Sequence, residues 1–268
     1  MNKRNLYISN LGWQHKDFSS VQKLITKNNL AGIDLAPMAV WKNWNQIEKK
    51  SVKFFNYLHS KKISINALQG IFYKKNFNLF KDHKFKIIDI INHIRLIIKL
   101  CKIFRCRKII IGSSSFRKKN ELTSHEADII FINFLKKLRP ILSKNKIYLC
   151  IETIPSQYNE DYLFKFSHLI KLVKKINCRW IKINFDTSIY HFNRFNKKIF
   201  INNLRYIKNI QITERNFDFY TNPSKNNIYF SNLIKKNKNI KNISLEIIAK
   251  KTNILKLGSS IKKFNNIF

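Results

Sequence analysis

The sequence predicts an α/β protein folded as a single (β/α)8 barrel over residues 1–268, and three observations predict it. Eight short apolar runs alternate with amphipathic helical patterns at spacings of roughly 25 to 45 residues, the rhythm of parallel strands joined by crossover helices. A chain of 268 residues suits one such barrel better than two small domains. The first strand is followed by Gly12-Trp13-Gln14-His15-Lys16, which lacks the glycine-rich turn of a dinucleotide-binding open sheet.

The elements follow in order. A first strand over Asn5 to Gly12 leads to a helix capped by Asp17 or Ser19, with Val21, Leu24 and Ile25 on one face. The second strand, Ala31 to Ala36, is closed by Pro37, and a helical pattern from Asn45 to His59 turns Phe54, Phe55 and Leu58 inward. Ile63 to Gln69 is the third strand. The apolar stretch from Ile87 to Phe104 is broken by Asp89, His93, Arg95, Lys99 and Lys102, so it reads as an amphipathic helix and not a membrane span. Lys108 to Gly112 forms the fourth strand, opening onto Ser113-Ser114-Ser115-Phe116-Arg117. Thr123 and Glu126 make a capping box for a helix expected to end near Pro140. Ile147 to Glu152 is the fifth strand, with a helix from about Glu160 to Ile176 behind it; Lys182 to Asp186 is the sixth, with a helix near Ile199 to Tyr206. Ile207 to Thr213, a helix opening at Pro223-Ser224, an eighth strand from Ile243 to Ile248 and a last helix complete the chain.

Composition excludes several classes. The four cysteines have neither zinc spacing nor the density of a disulfide scaffold, which points to a reducing cytoplasm. Met1-Asn2-Lys3-Arg4 runs into the first strand without the apolar core of a signal peptide, so a soluble cytoplasmic protein without a membrane partner is expected. A net charge of +37 invites a nucleic-acid reading. The lysines, however, are spread from Lys3 to Lys263 alongside much Asn and Ile, three residue types with A/T-rich codons, and base-composition drift accounts for them without a specific nucleic-acid partner.

Chemistry is expected where strands end in carboxylates. Glu152, Asp186 and Glu246 close three strands, and Gln211 lies on the seventh; parallel strands place all four at one rim. Three acids so placed repel one another unless a divalent cation neutralises them, and an oxygen donor set suits Mn2+ or Mg2+. The alternative is that each acid pairs with one of the many lysines at the rim.

Several fragments resemble the sugar phosphate isomerase/epimerases of the xylose isomerase-like TIM barrel superfamily. Ile8-Ser9-Asn10-Leu11-Gly12-Trp13 is similar to their opening strand, Gly32-Ile33-Asp34-Leu35-Ala36-Pro37 to their second, and Leu68-Gln69-Gly70-Ile71 to their third. Ile111 to Arg117 resembles their Phe-Gly-Ser-Pro-x-x-Arg turn, Cys150 to Pro155 their Ile-Glu-Pro-Asn-Pro strand end, and Ser244-Leu245-Glu246 their Ser-Ile-Glu. The resemblance implies a metal held by Glu152, Asp186 and Glu246, with Gln211 where relatives carry a His. It also departs from the family at Asp186-Thr187-Ser188-Ile189, where many relatives have Asp-x-x-His; His191 is offset by two. Asp34 replaces a family Glu, and a structural or supporting role is expected for it.

The expected reaction is isomerisation or epimerisation of a sugar or sugar phosphate by proton abstraction next to a carbonyl, through an enediolate. Glu152 and Glu246 are the candidate acid–base pair, doubling as ligands; Asp186 and Gln211 are ligands only. Arg117 is a candidate to grip a phosphate or carboxylate, Gln69 to bond a hydroxyl, and Trp13 to wall the sugar ring. The partner is then a small carbohydrate, with a homo-oligomer left open. Two rivals share the barrel: a non-catalytic sugar- or protein-binding descendant, and an endonuclease of the apurinic-site type, whose His-rich zinc centre the seven histidines do not match.

Overall fold

The computed structural model describes residues 4–82 and 86–268. Met1, Asn2 and Lys3, from which an uninterrupted entry into the first strand is expected, lie outside the described residues. Eight parallel strands close in sequence order into a barrel. They are β1 Asn5–Ser9, β2 Gly32–Leu35, β3 Ser64–Leu68, β4 Lys108–Ile111, β5 Tyr148–Glu152, β6 Ile181–Asp186, β7 Ile207–Thr213 and β8 Asn242–Glu246. Among the described residues no helix is long and apolar enough to cross a membrane.

Most boundaries fall where the sequence places them, and the exceptions have local causes. β1 stops at Ser9 because the Ser9 hydroxyl accepts the Leu11 N–H at 3.2 Å and turns the chain into a 3-10 helix, Asn10–Gly12. The helix Ser124–Asn145 opens on the expected Thr123–Glu126 box but runs through Pro140. Pro140 and Lys136, whose carbonyl loses its intrahelical partner, are both exposed, so water takes the place of the missing bond. The helix expected from Glu160 begins only at Phe166. Glu160 is held outside it, its Oε1 accepting the backbone N–H groups of Tyr162 and Leu163 at 3.2 and 3.0 Å.

Strand alternation sorts the side chains into two cores. Leu149 and Ile151 on β5, Ile183 and Phe185 on β6, and Ile243 and Leu245 on β8 face the helices and join the main apolar core. Their neighbours in sequence face the lumen, where only Ala67, Ile110 and Cys150, with Tyr148, form a small apolar cluster. The rest of the lumen is polar. Lys108 donates to the Oδ1 atoms of Asn66 and of Asn209, the second at 2.7 Å, and Asn66 donates to Asp34 at 2.6 Å. Asn209 then donates to Asn184 at 2.8 Å, and Asn184 to Gln211 at 2.5 Å. Gln211 donates to Gln69 at 2.8 Å, and Gln69 to Ser9 at 2.6 Å. Burial pushes the Asp34 carboxyl up and the Lys108 ammonium down; each partly offsets the other's shift. The chain of amides satisfies groups that would otherwise be costly inside a barrel, and it ends at the rim that carries the acids.

Candidate functional site

Glu152 is the last residue of β5, Asp186 of β6 and Glu246 of β8, and the register of the sheet sets Asp186 beside Gln211 and Thr213 beside Glu246. Each acid offers an oxygen such that all three atoms lie within 4.8 Å of one another. Among the described residues no Lys or Arg pairs with any of them; the ion pairs present involve other acids. The alternative of rim salt bridges with lysine is therefore not met among the described residues.

Burying three acids together raises their affinity for protons. Burial, then the Asp186 charge, pushes the Glu152 carboxyl up to about 8. Burial, then the charges of Asp186 and Glu152, lifts Glu246 well above the carboxylate range, and burial raises Asp186 despite hydrogen bonds that oppose the shift. Asp186 Oδ1 accepts the Ser188 N–H at 2.7 Å, while its Oδ2 is buried without a hydrogen-bond partner.

The donor set fits a hard divalent cation. Two oxygens bound to one ion at about 2 to 2.6 Å stand no more than about 4 to 5.2 Å apart, which the 4.8 Å cluster meets. Among the described residues the cluster offers oxygen donors without imidazole or thiolate, and one Asp186 oxygen is left free to take a ligand.

Beyond the acids lies a cavity of about 360 Å³, lined by Glu152 and Glu246, Gln69, Ser113 and Ser114, and by apolar residues at its mouth. Gly112 makes room for the Glu152 side chain: a Cβ there would stand 2.3 Å from Glu152 Oε2 and 2.8 Å from its carboxyl carbon. Gly112→Ala is expected to leave the barrel folded and to weaken Mn2+ binding about 10- to 100-fold, the usual cost of disturbing a ligand's support, as measured by calorimetric titration.

Three candidate residues are placed elsewhere than their expected roles require. Arg117 does not face the cavity: its side chain is fully buried, with Nη2 2.8 Å and Nε 2.8 Å from Glu160 Oε2. It is an internal staple because the Glu160 loop folds over it. Trp13 is buried against Phe18, ring centroids 6.4 Å apart, in the interface between strand and helix, and does not line the cavity. Gln211 lies at the rim, but Asn184 donates to its Oε1 and its Nε2 donates to Gln69, so its amide fixes the floor instead of completing a ligand set. Gln69 does line the cavity, with both ends of its amide used inside the protein. His191 faces Thr213 O at 3.1 Å and Glu214 at 4.0 Å, away from the three acids.

Sequence reasoning missed Asn184, which donates to Glu152 Oε2 at 3.1 Å. Its position two residues before Asp186 on the same strand face was the available signal. Tyr158 and Phe217, which wall the mouth with ring centroids 5.1 Å apart, carry no such signal.

Solved structures share this architecture. The 3-keto-D-glucoside 4-epimerase of E. coli superposes with a TM-score of 0.76 at 8% identity, over 99% of this chain and 100% of that one. The AP endonuclease, family 2, of Brucella melitensis gives 0.75 at 11%, over 96% and 97%. D-Psicose 3-epimerase of Clostridium cellulolyticum H10, solved with D-tagatose, gives 0.73 at 10%, over 98% and 91%. At such identities the likeness is one of fold. No curated protein matches the sequence significantly. The family model described as xylose isomerase-like TIM barrel matches residues 23–251, which takes in every strand from β2 to β8. On that match the chain belongs to the xylose isomerase-like TIM barrel family.

Proposed function

We propose that this protein is a divalent-cation-dependent epimerase or isomerase of an uncharged sugar, working by proton abstraction next to a carbonyl. The observation that carries the reading is the convergence of Glu152, Asp186 and Glu246 within 4.8 Å beside an open-mouthed cavity. The likeness to two sugar epimerases supports it. In a chain with 52 Lys and Arg, none among the described residues lines this cavity, and Arg117 is spent on Glu160, so no described basic side chain there is placed to match a phosphate.

Glu152, Asp186 and Glu246 would hold the ion, with Mn2+ or Mg2+ as the candidates. When bound, such a cation supplies charge stabilisation for an oxyanion developing on the substrate. Glu152 and Glu246 both reach the cavity, and each can take a proton from, or return one to, a sugar carbon lying between them. Asn184 orients the Glu152 carboxyl through its amide, and Asp186, which does not line the cavity, serves as ligand. In the metal-free site, burial and the neighbouring acids raise the proton affinity of both carboxyls, and a bound cation would draw it back down. The endonuclease reading is disfavoured because the cluster holds no histidine among the described residues.

The test is deuterium uptake next to the carbonyl when the Mn2+-loaded protein is incubated with ketoses and ketoglycosides in heavy water. Uptake is expected; none with any substrate, together with no Mn2+ binding, would leave a binding relic of the fold. Stability gives a second expectation. Glu152 holds its proton to about pH 8 when folded but only to the ordinary carboxylate range, about 4.5, when unfolded. Between these values the native state binds more protons, so the metal-free protein loses stability as pH rises from about 5 to 8. Mn2+ competes with those protons and is expected to raise the melting temperature more at pH 8 than at pH 5.5, measured by calorimetric scans with and without the ion.

A further inference from the structure

We infer that the substrate of this site is a keto sugar bearing an apolar substituent, such as a ketoglycoside with an aryl or alkyl aglycone, whose apolar group lies in a collar at the cavity mouth. This rests on the proposed sugar chemistry at the carboxylate floor and adds to it the class of molecule that fills the remaining space. The cavity has two zones. Its floor carries Glu152, Glu246 and Gln69; above it the loops after β4 and β6 contribute serines, and the loops after β1, β5, β7 and β8 contribute Leu11, Ile154, Tyr158, Phe217 and Ile248. Ile248 is 47% exposed, and the other four collar residues are half-buried. Loops at a barrel mouth are ordinarily polar, so apolar side chains gathered there from four strand ends mark a surface that is covered in use.

The backbone holds this collar in place against its own preference. Asn216 and Phe217 have φ of 60° and 59°, consecutive left-handed residues. Asn tolerates that conformation, but a bulky aromatic side chain rarely adopts it. Phe217 N–H donates to Glu214 O at 3.0 Å, and its carbonyl accepts the Ile248 N–H at 3.1 Å, which ties the β7 loop to the β8 loop. The result sets the Phe217 ring over the mouth, 5.1 Å from Tyr158, itself 5.5 Å from Phe192. Strain kept at a pocket edge is a sign of function and not of packing. An unsubstituted sugar offers apolar C–H groups only on its ring faces and would leave part of a collar drawn from four loops in water. A sugar with an aryl or alkyl group satisfies floor and collar at once, at a volume of about 360 Å³ that lies in the range for ligands of that size, roughly 300 to 1,000 Å³.

Titration calorimetry of the full chain, with and without Mn2+, compares glucose, methyl glucoside and phenyl glucoside. Phenyl glucoside is expected to bind at least tenfold more tightly than glucose, and Phe217→Ala to erase most of that preference. Phe217→Gly, which removes the strain as well as the ring, is expected to lose the preference without a lower melting temperature. Equal affinity for the three sugars, or a preference that survives Phe217→Ala, overturns the inference. So does sedimentation showing a dimer that Phe217→Ala dissociates and phenyl glucoside does not, which would assign the collar to a second copy of the chain. Deuterium uptake decides the catalytic reading separately, since the calorimetric preference needs no turnover.

Discussion

Glu152→Gln is expected to lower deuterium uptake at least 1,000-fold while making the metal-free protein more stable at pH 8. The loss follows from chemistry: an amide can neither take nor return the proton, and removing an acid–base group from a unit that acts together costs about the whole of its contribution. The gain follows from electrostatics. Three buried acids without a lysine partner raise one another's proton affinity, and an isosteric amide removes one of them. Asn184 would still find an acceptor, because Gln keeps a carbonyl oxygen where Glu152 Oε2 accepts at 3.1 Å. Opposite changes in activity and melting temperature are what a functional site predicts; a structural salt-bridge acid would lose stability on the same substitution. Uptake that persists in Glu152→Gln would move the base to Glu246, and a melting temperature that falls would mean the carboxyl is already compensated by a group the charge balance omits.

The acids were legible in the sequence because parallel strands of a closed barrel share one rim, so a residue's place at a strand end is enough to place it in space. The same logic extends to Asn184 and Asn209, and it failed there for a definable reason. By composition Lys182-Ile183-Asn184-Phe185-Asp186 reads as one short strand with an acid at its tip, whereas its alternation sends Asn184 into the lumen with Asp186 and leaves Ile183 and Phe185 to the helices. Gln211 was read by its place at the rim alone; what its amide does depends on Gln69 and Asn184, on two other strands. The left-handed turn at Phe217 depends on the β8 loop, through Ile248 N–H, and no local pattern reports it.

Arg117 shows the same limit with the largest expected cost. Following a serine-rich turn after a strand, it reads as a basic loop residue open to a ligand; its burial is decided by Glu160, 43 residues later. The carboxyl of Glu160 is shared between the guanidinium on Oε2 and the backbone N–H groups of Tyr162 and Leu163 on Oε1, so one acid fastens the β4 loop to the β5 loop that carries Tyr158. Arg117→Ala leaves that buried acid charged and without its cationic partner, which costs about 3 to 5 kcal/mol. At about 2 to 4 °C per kcal/mol for a chain of this size, the melting temperature is expected to fall by roughly 6 to 20 °C. Removing both charges is expected to restore most of the loss: Arg117→Met with Glu160→Gln keeps side-chain volume and an acceptor for the two backbone donors, and no longer buries an isolated ion. Scanning calorimetry of the two single variants and the double variant forms the cycle. A strongly positive coupling identifies Arg117 as the staple between the loops, whereas a folded, stable Arg117→Ala protein with weakened ligand binding would return it to the substrate and reopen the case for a phosphorylated sugar.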